Sequence, residues 1–111
     1  MSLLEYDLIR FLWRQRSFSS RVFGPGDRTI GISEHIRKEL DEIAACRPEE
    51  ALEEWIDVVI LALDQCWRLG HPPHEIVEAL ESKYQRNMKR TWPDWRTKRR
   101  DEPIEHDRTL D

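Results

Sequence analysis

Residues 55 to 63 read WIDVVILAL, so Asp57 is the only polar side chain in nine consecutive residues. An apolar run of this kind predicts a helix buried nearly all round. An ionised carboxylate there is costly to desolvate unless it is paired, protonated or bound to a cation. Glu54 and Asp64 lie three residues before and seven after it. On a 3.6-residue turn the three acids fall within roughly 80° of arc, giving one acidic face on an apolar helix.

No stretch alternates with period two, so the expected fold class is all-α, a bundle of four to five helices followed by a charged tail. A first helix is expected from Leu3 to about Gln15, with Leu4, Leu8, Phe11 and Leu12 as its apolar stripe. Ser17 to Gly31 carries three of the four glycines and Pro25, and reads as an ordered loop or lid. A second helix is expected from Ser33, as N-cap, to about Cys46, with Ile36, Leu40 and Ile43 facing the core. Pro48 opens the third and longest helix and Gly70 stops it; Pro72 and Pro73 open a fourth, which runs to about Arg90. Residues 92–111 read as extended or mobile, and the expected domain organisation is one domain over residues 1–95 with a flexible tail over 96–111.

Glu39 and Glu42, spaced i, i+3, sit beside the apolar stripe of the second helix. A short connection at Arg47 and Pro48 makes helices two and three antiparallel neighbours. Their two acidic pairs can then face each other, and four converging carboxylates suit a hard divalent cation such as Mg²⁺ or Mn²⁺. The same spacing also suits a solvated face or structural salt bridges, as in a non-catalytic helical interaction module. Lys83, Asn87 and Arg90 fall within roughly 60° of arc on the fourth helix, a strip suited to phosphate oxygens or to plain solvation.

The chain has 18 basic and 22 acidic residues, a net charge of −4. That balance argues against a nucleic-acid coat, and the basic RTKRR of residues 96–100 is flanked by acids. No apolar run approaches a membrane span and no secretory signal is recognisable, so a cytoplasmic location is expected. Cys46 and Cys66 lack zinc or redox spacing and are expected to be reduced. The four histidines show no ligand spacing among themselves.

HIRKELDE from His35, EEWIDVVILALD from Glu53 and KYQRNMKRTWP from Lys83 resemble the all-α nucleoside triphosphate pyrophosphohydrolases of the MazG-like superfamily. More closely, they resemble the phage and prophage dATP/dGTP diphosphohydrolases, or MazZ-like enzymes. The motifs HxxKExxE, EWxD and KxxxNxxRxWP occur in order between Phe11 and Trp95.

The resemblance implies metal-dependent hydrolysis of dGTP or dATP to the monophosphate and pyrophosphate. Glu39, Glu42, Glu54 and Asp57 would hold two or three Mg²⁺ or Mn²⁺ ions, and Glu39 or Glu42 would orient the attacking water. Lys83, Asn87 and Arg90 match the phosphate-side strip. Lys38 and Asp64 are expected beside the ligands, orienting them. Many relatives have a second Glu where this chain has Lys38, so a base assigned to that Glu has no counterpart here. Trp13, Gln15 and Ser19 are the expected base-side residues, with Phe18, Phe23, Ser17 and Arg28 nearby. The expected partners are a (deoxy)nucleoside triphosphate and further copies of the chain, in a homodimer or homotetramer.

Overall fold

The computed structural model describes residues 5–110, and every described element is helical. The helices are α1 (Leu8–Phe23), α2 (Thr29–Ala45), α3 (Ala51–Arg68) and α4 (Pro73–Lys89), with 3-10 turns at Pro48–Glu50, Trp95–Thr97 and Arg108–Leu110. Leu3 and Leu4, expected to begin the first helix, lie outside the described residues. Among the described residues no helix is long and apolar enough to cross a membrane.

The start and length of α1 correct the sequence reading. Asp7 caps it, its Oδ1 accepting from Arg10 N at 3.0 Å. The helix runs through Phe23, absorbing the serines that read as loop. The true breakers are concentrated at Gly24 and Gly26, whose φ of +89° and +86° only glycine adopts without strain. Only residues 24–28 remain between α1 and α2, and Gly31 is helical.

Helix α2 likewise begins at Thr29 rather than Ser33. Asp27 Oδ1 accepts from Thr29 N at 2.8 Å and from Gln65 Nε2 at 2.6 Å, organising the start upstream of the expected cap. Ser33 Oγ instead donates to Thr29 O at 2.6 Å. The other boundaries fall close to expectation. Pro48 opens a 3-10 turn into α3, the longest helix, and Gly70 (φ +99°) closes it by donating to Trp67 O at 3.0 Å.

Helix α3 packs against both α1 and α2. Arg28 N donates to Gln65 Oε1 near the start of α2, while Glu39 reaches Glu54 further along, so α2 and α3 run antiparallel. Gln15 meets Ile60 and Ser19 meets Arg68, so α1 and α3 run in the same sense. Leu12, Trp67 and Ile76 are buried at the centre, with Leu8, Phe11, Leu63, Cys66 and Val77 packed on them.

Two compact units are separated between Val77 and Glu78, within α4. In the second, Asp107 N donates to Thr91 O at 2.8 Å, and the Trp92 and His106 rings meet edge to face at 5.7 Å. Around the RTKRR cluster, Arg96 approaches Asp94 at 3.3 Å and Arg99 approaches Asp101 at 3.5 Å.

Helix α3 is not buried all round. Leu52, Trp55, Ile56 and Val59 are exposed, and so is Asp57. Among the described residues, the core cluster draws Leu63, Cys66 and Trp67 from the C-terminal half of α3.

Candidate functional site

Periodicity turns Ile32, Ile36, Glu39 and Ile43 of α2 to one side, the side facing α3. Glu39 is therefore carried into the interface in an apolar stripe and is only 8% exposed. The antiparallel helix brings Glu54 opposite. Carboxylate oxygens of Glu39, Glu42 and Glu54 all lie within 4.8 Å of one another, forming one acidic cluster graded from buried Glu39 to exposed Glu42. Asp57, the expected fourth member, lies outside this group and is exposed, although its charge is felt at Glu54.

The cluster carries its own electrostatic stress. Burial raises the Glu54 carboxyl above its ordinary 4.5, and the hydrogen bond with Glu39 and the charges of Glu42, Glu39 and Asp57 act in the same direction. Glu39 Oε2 and Glu54 Oε2 are buried without a hydrogen-bond partner. Converging hard oxygen donors, two of them orphaned, fit a divalent cation such as Mg²⁺ or Mn²⁺.

His35 is a contributor that spacing among the histidines could not reveal. Its Nε2 lies 3.3 Å from Glu39 Oε1. The legible signal was its place one turn before Glu39 on the same helix. Lys38 is exposed on α2.

Asp64 has a different partner from the one expected. Arg68 Nε donates to Asp64 Oδ2 at 2.8 Å one turn along α3, in a buried pair. The same guanidinium donates to Gly24 O (2.7 Å), Gly26 O (2.9 Å) and Ser19 Oγ (2.8 Å). Arg68 thus ties the end of α1 and its loop to α3, with Asp64 as its carboxylate partner.

Between α1, α2 and α3 lies a cavity of about 240 Å³, lined among others by Gln15, Phe18, Ser19, Phe23, Arg28 and Asp64. Gln15 and Ser19, two of the three expected base-side residues, are brought together there. Trp13 is not: it is exposed and lines a separate shallow depression with Ser17. His35 lines the cavity between α1, α2 and α3 as well as touching Glu39, so cavity and acidic cluster share a wall.

Lys83, Asn87 and Arg90 belong to the second unit. Arg90 Nη1 donates to Asn87 Oδ1 at 3.0 Å, Trp92 Nε1 donates to Asn87 O at 2.7 Å, and Lys83 is exposed.

An all-helical chain that converges carboxylates between antiparallel helices, beside a cavity with aromatic walls, has the build of the all-α nucleoside triphosphate pyrophosphohydrolases. The family model of the dATP/dGTP pyrophosphohydrolases matches residues 12–110, and the chain belongs to that family. It is thus an enzyme that acts on nucleoside triphosphates. Neither the curated proteins nor the solved structures contain a match to it.

Proposed function

We propose that the chain hydrolyses dGTP and dATP to the deoxynucleoside monophosphate and pyrophosphate, with Mg²⁺ or Mn²⁺ held by Glu39, Glu42, Glu54 and Asp57. The observation that carries this reading is the Glu39, Glu42, Glu54 cluster, whose buried orphan oxygens call for a cation in a chain of this family. When bound, two or three such ions would neutralise the triphosphate and lower the pKa of a water.

The chain's own part is positional. Glu39 or Glu42 accepts a hydrogen bond from the attacking water and holds it in line with the α-phosphorus. Water oxygen bonds to that phosphorus as the bond from phosphorus to the bridging oxygen breaks, pyrophosphate leaves with the electron pair, and the water's proton passes to the carboxylate that oriented it. His35 holds Glu39 in place, and Lys83, Asn87 and Arg90 meet phosphate oxygens with charge-assisted hydrogen bonds. Lys38 supplies positive charge at the edge of the ligand set.

The exposed Leu52, Trp55, Ile56 and Val59 form an apolar stripe on α3, which supports cover by a second copy in a homodimer or homotetramer. A non-catalytic helical module with structural salt bridges accounts for Asp64 and Arg68. It does not account for three carboxylates drawn together at Glu39, Glu42 and Glu54.

The decisive experiment is release of pyrophosphate from dGTP and dATP with Mn²⁺, by the wild type and by Glu54→Gln and Asp57→Asn. Activity is expected to vanish in both variants while their helical circular dichroism persists. Full activity in both would sink the proposal.

A further inference from the structure

Helix α1 carries Arg10, Arg14, Arg16 and Arg21, and none of its 16 residues is acidic. Helices α2, α3 and α4 each have at least as many acids as bases, so a chain of net charge −4 gathers its positive surplus on one helix. Leu12, Gln15 and Ser19 are the buried residues of α1, and the last two meet α3. Arg10, Arg14, Ser17 and Arg21 recur at i, i+4, i+7 and i+11 on the opposite side, a stripe about 16 Å long. All four are exposed.

These arginines are unspent. Arg37, Arg47, Arg68, Arg96 and Arg99 each pair with a carboxylate. Among the described residues Arg10, Arg14, Arg16 and Arg21 have no such partner; Arg16 and Arg21 lie over the Trp13 and Phe18 rings, 5.6 and 5.9 Å from their centroids. Guanidiniums gathered without a counter-charge repel one another, a cost that an anionic partner removes. Beside the stripe, Trp13, Arg16, Ser17 and Ser20 line the shallow depression noted above. It joins an exposed aromatic face, a cation and two hydroxyls, groups that respectively stack on a base and donate to phosphate oxygens.

We propose that this side of α1 is a docking surface for single-stranded nucleic acid, with Arg10, Arg14 and Arg21 following the phosphates and a base stacked on Trp13. The charge calls for a polyanion. Trp13 and Phe18, exposed beside the arginines, favour a nucleic acid over an acidic peptide, whose carboxylate side chains have no flat face to stack. They favour a single strand over a duplex, which keeps its bases stacked on one another. The net charge of −4 argues against a coat over the whole surface, but charges farther than about 8 Å are screened at physiological salt, so the local surplus decides what this face meets.

The test is the fluorescence anisotropy of a labelled oligothymidylate titrated with the full chain in chelating buffer, so that no cation bridges phosphates to Glu39, Glu42 and Glu54. Binding is expected at about 50 mM salt, with log K falling against log salt at a slope of about −2 to −3, as three or four neutralised phosphates require. Combining Arg10→Gln, Arg14→Gln and Arg21→Gln is expected to reduce that slope by about 2. Trp13→Ala is expected to weaken binding about 10-fold at an unchanged slope. Both variants are expected to keep the helical circular dichroism of the wild type, and a duplex to bind more weakly than the single strand. No binding at about 50 mM salt, or a triple variant that binds as the wild type does, overturns the proposal. A duplex that binds as tightly overturns the single strand. Polyglutamate that displaces the oligonucleotide at equal charge assigns the face to an acidic protein, and a triple variant altered only in its sedimentation assigns it to a second copy; either result overturns the proposal.

Discussion

Arg68 Nε and Asp64 Oδ2 meet at 2.8 Å one turn apart on α3, with the arginine side chain fully buried. The pair separates the acidic face of α3 into two parts. Asp64 is neutralised by a cation of its own helix, while Glu54, ten residues earlier, meets the carboxylates of Glu39 and Glu42 across the interface. One part is neutralised within its own helix and the other is a crowd of carboxylates.

Removing the buried arginine strands Asp64 and four accepting groups of α1 and its loop, Ser19 O, Ser19 Oγ, Gly24 O and Gly26 O. Arg68→Met is expected to destabilise the chain by about 3–5 kcal/mol, read from urea unfolding. Combining it with Asp64→Leu should recover part of that loss, since the uncompensated charge is then gone. A loss within about 0.5 kcal/mol, the range of ordinary surface substitutions, would show that the pair does not hold α1 to α3.

Glu54 has a higher pKa folded than unfolded, so folding takes up a proton. Its contribution to stability is fully present below the unfolded value and is lost as pH rises through the raised folded value. In a chelating buffer, the melting temperature of the wild type relative to Glu54→Gln is therefore expected to fall as pH rises above about 4.5. Mn²⁺ should restore it in the wild type and not in the variant. A difference that stays constant across that range would contradict the carboxylate crowding.

His35 acts through Glu39. His35→Ala is expected to weaken Mn²⁺ binding about 10- to 100-fold, read by titration calorimetry, with His35→Gln retaining part of the affinity. Unchanged Mn²⁺ affinity would reduce the 3.3 Å contact to a helix-surface pairing.

Trp55 is 51% exposed in the middle of the open apolar stripe. Trp55→Asp is expected to sediment as a monomer, with helicity preserved, at concentrations where the wild type self-associates. A wild type that sediments as a monomer at all concentrations would remove the second copy from the account.

Much of this protein was legible in its order of residues, because the signals involved are local. Helix periodicity, Pro48 before α3, Gly70 after it and Pro73 at the head of α4 act within a turn or two of chain, and the all-α fold follows from them. The facing of Glu39 and Glu54 was legible too, since a short connection between two helices leaves antiparallel packing as the economical choice. The extension of α1 to Phe23 was not, because Ser17, Ser19 and Ser20 have no strong local preference and Ser19 is satisfied by Arg68, 49 residues away. Nor was the exposure of Asp57: an apolar run reports a need for burial, and only tertiary packing shows which of its residues the core takes in. Asp64 could be read as an acid on the acidic face. Its partner, and the cavity it shares with Gln15, came from three helices meeting, which no spacing along one of them encodes.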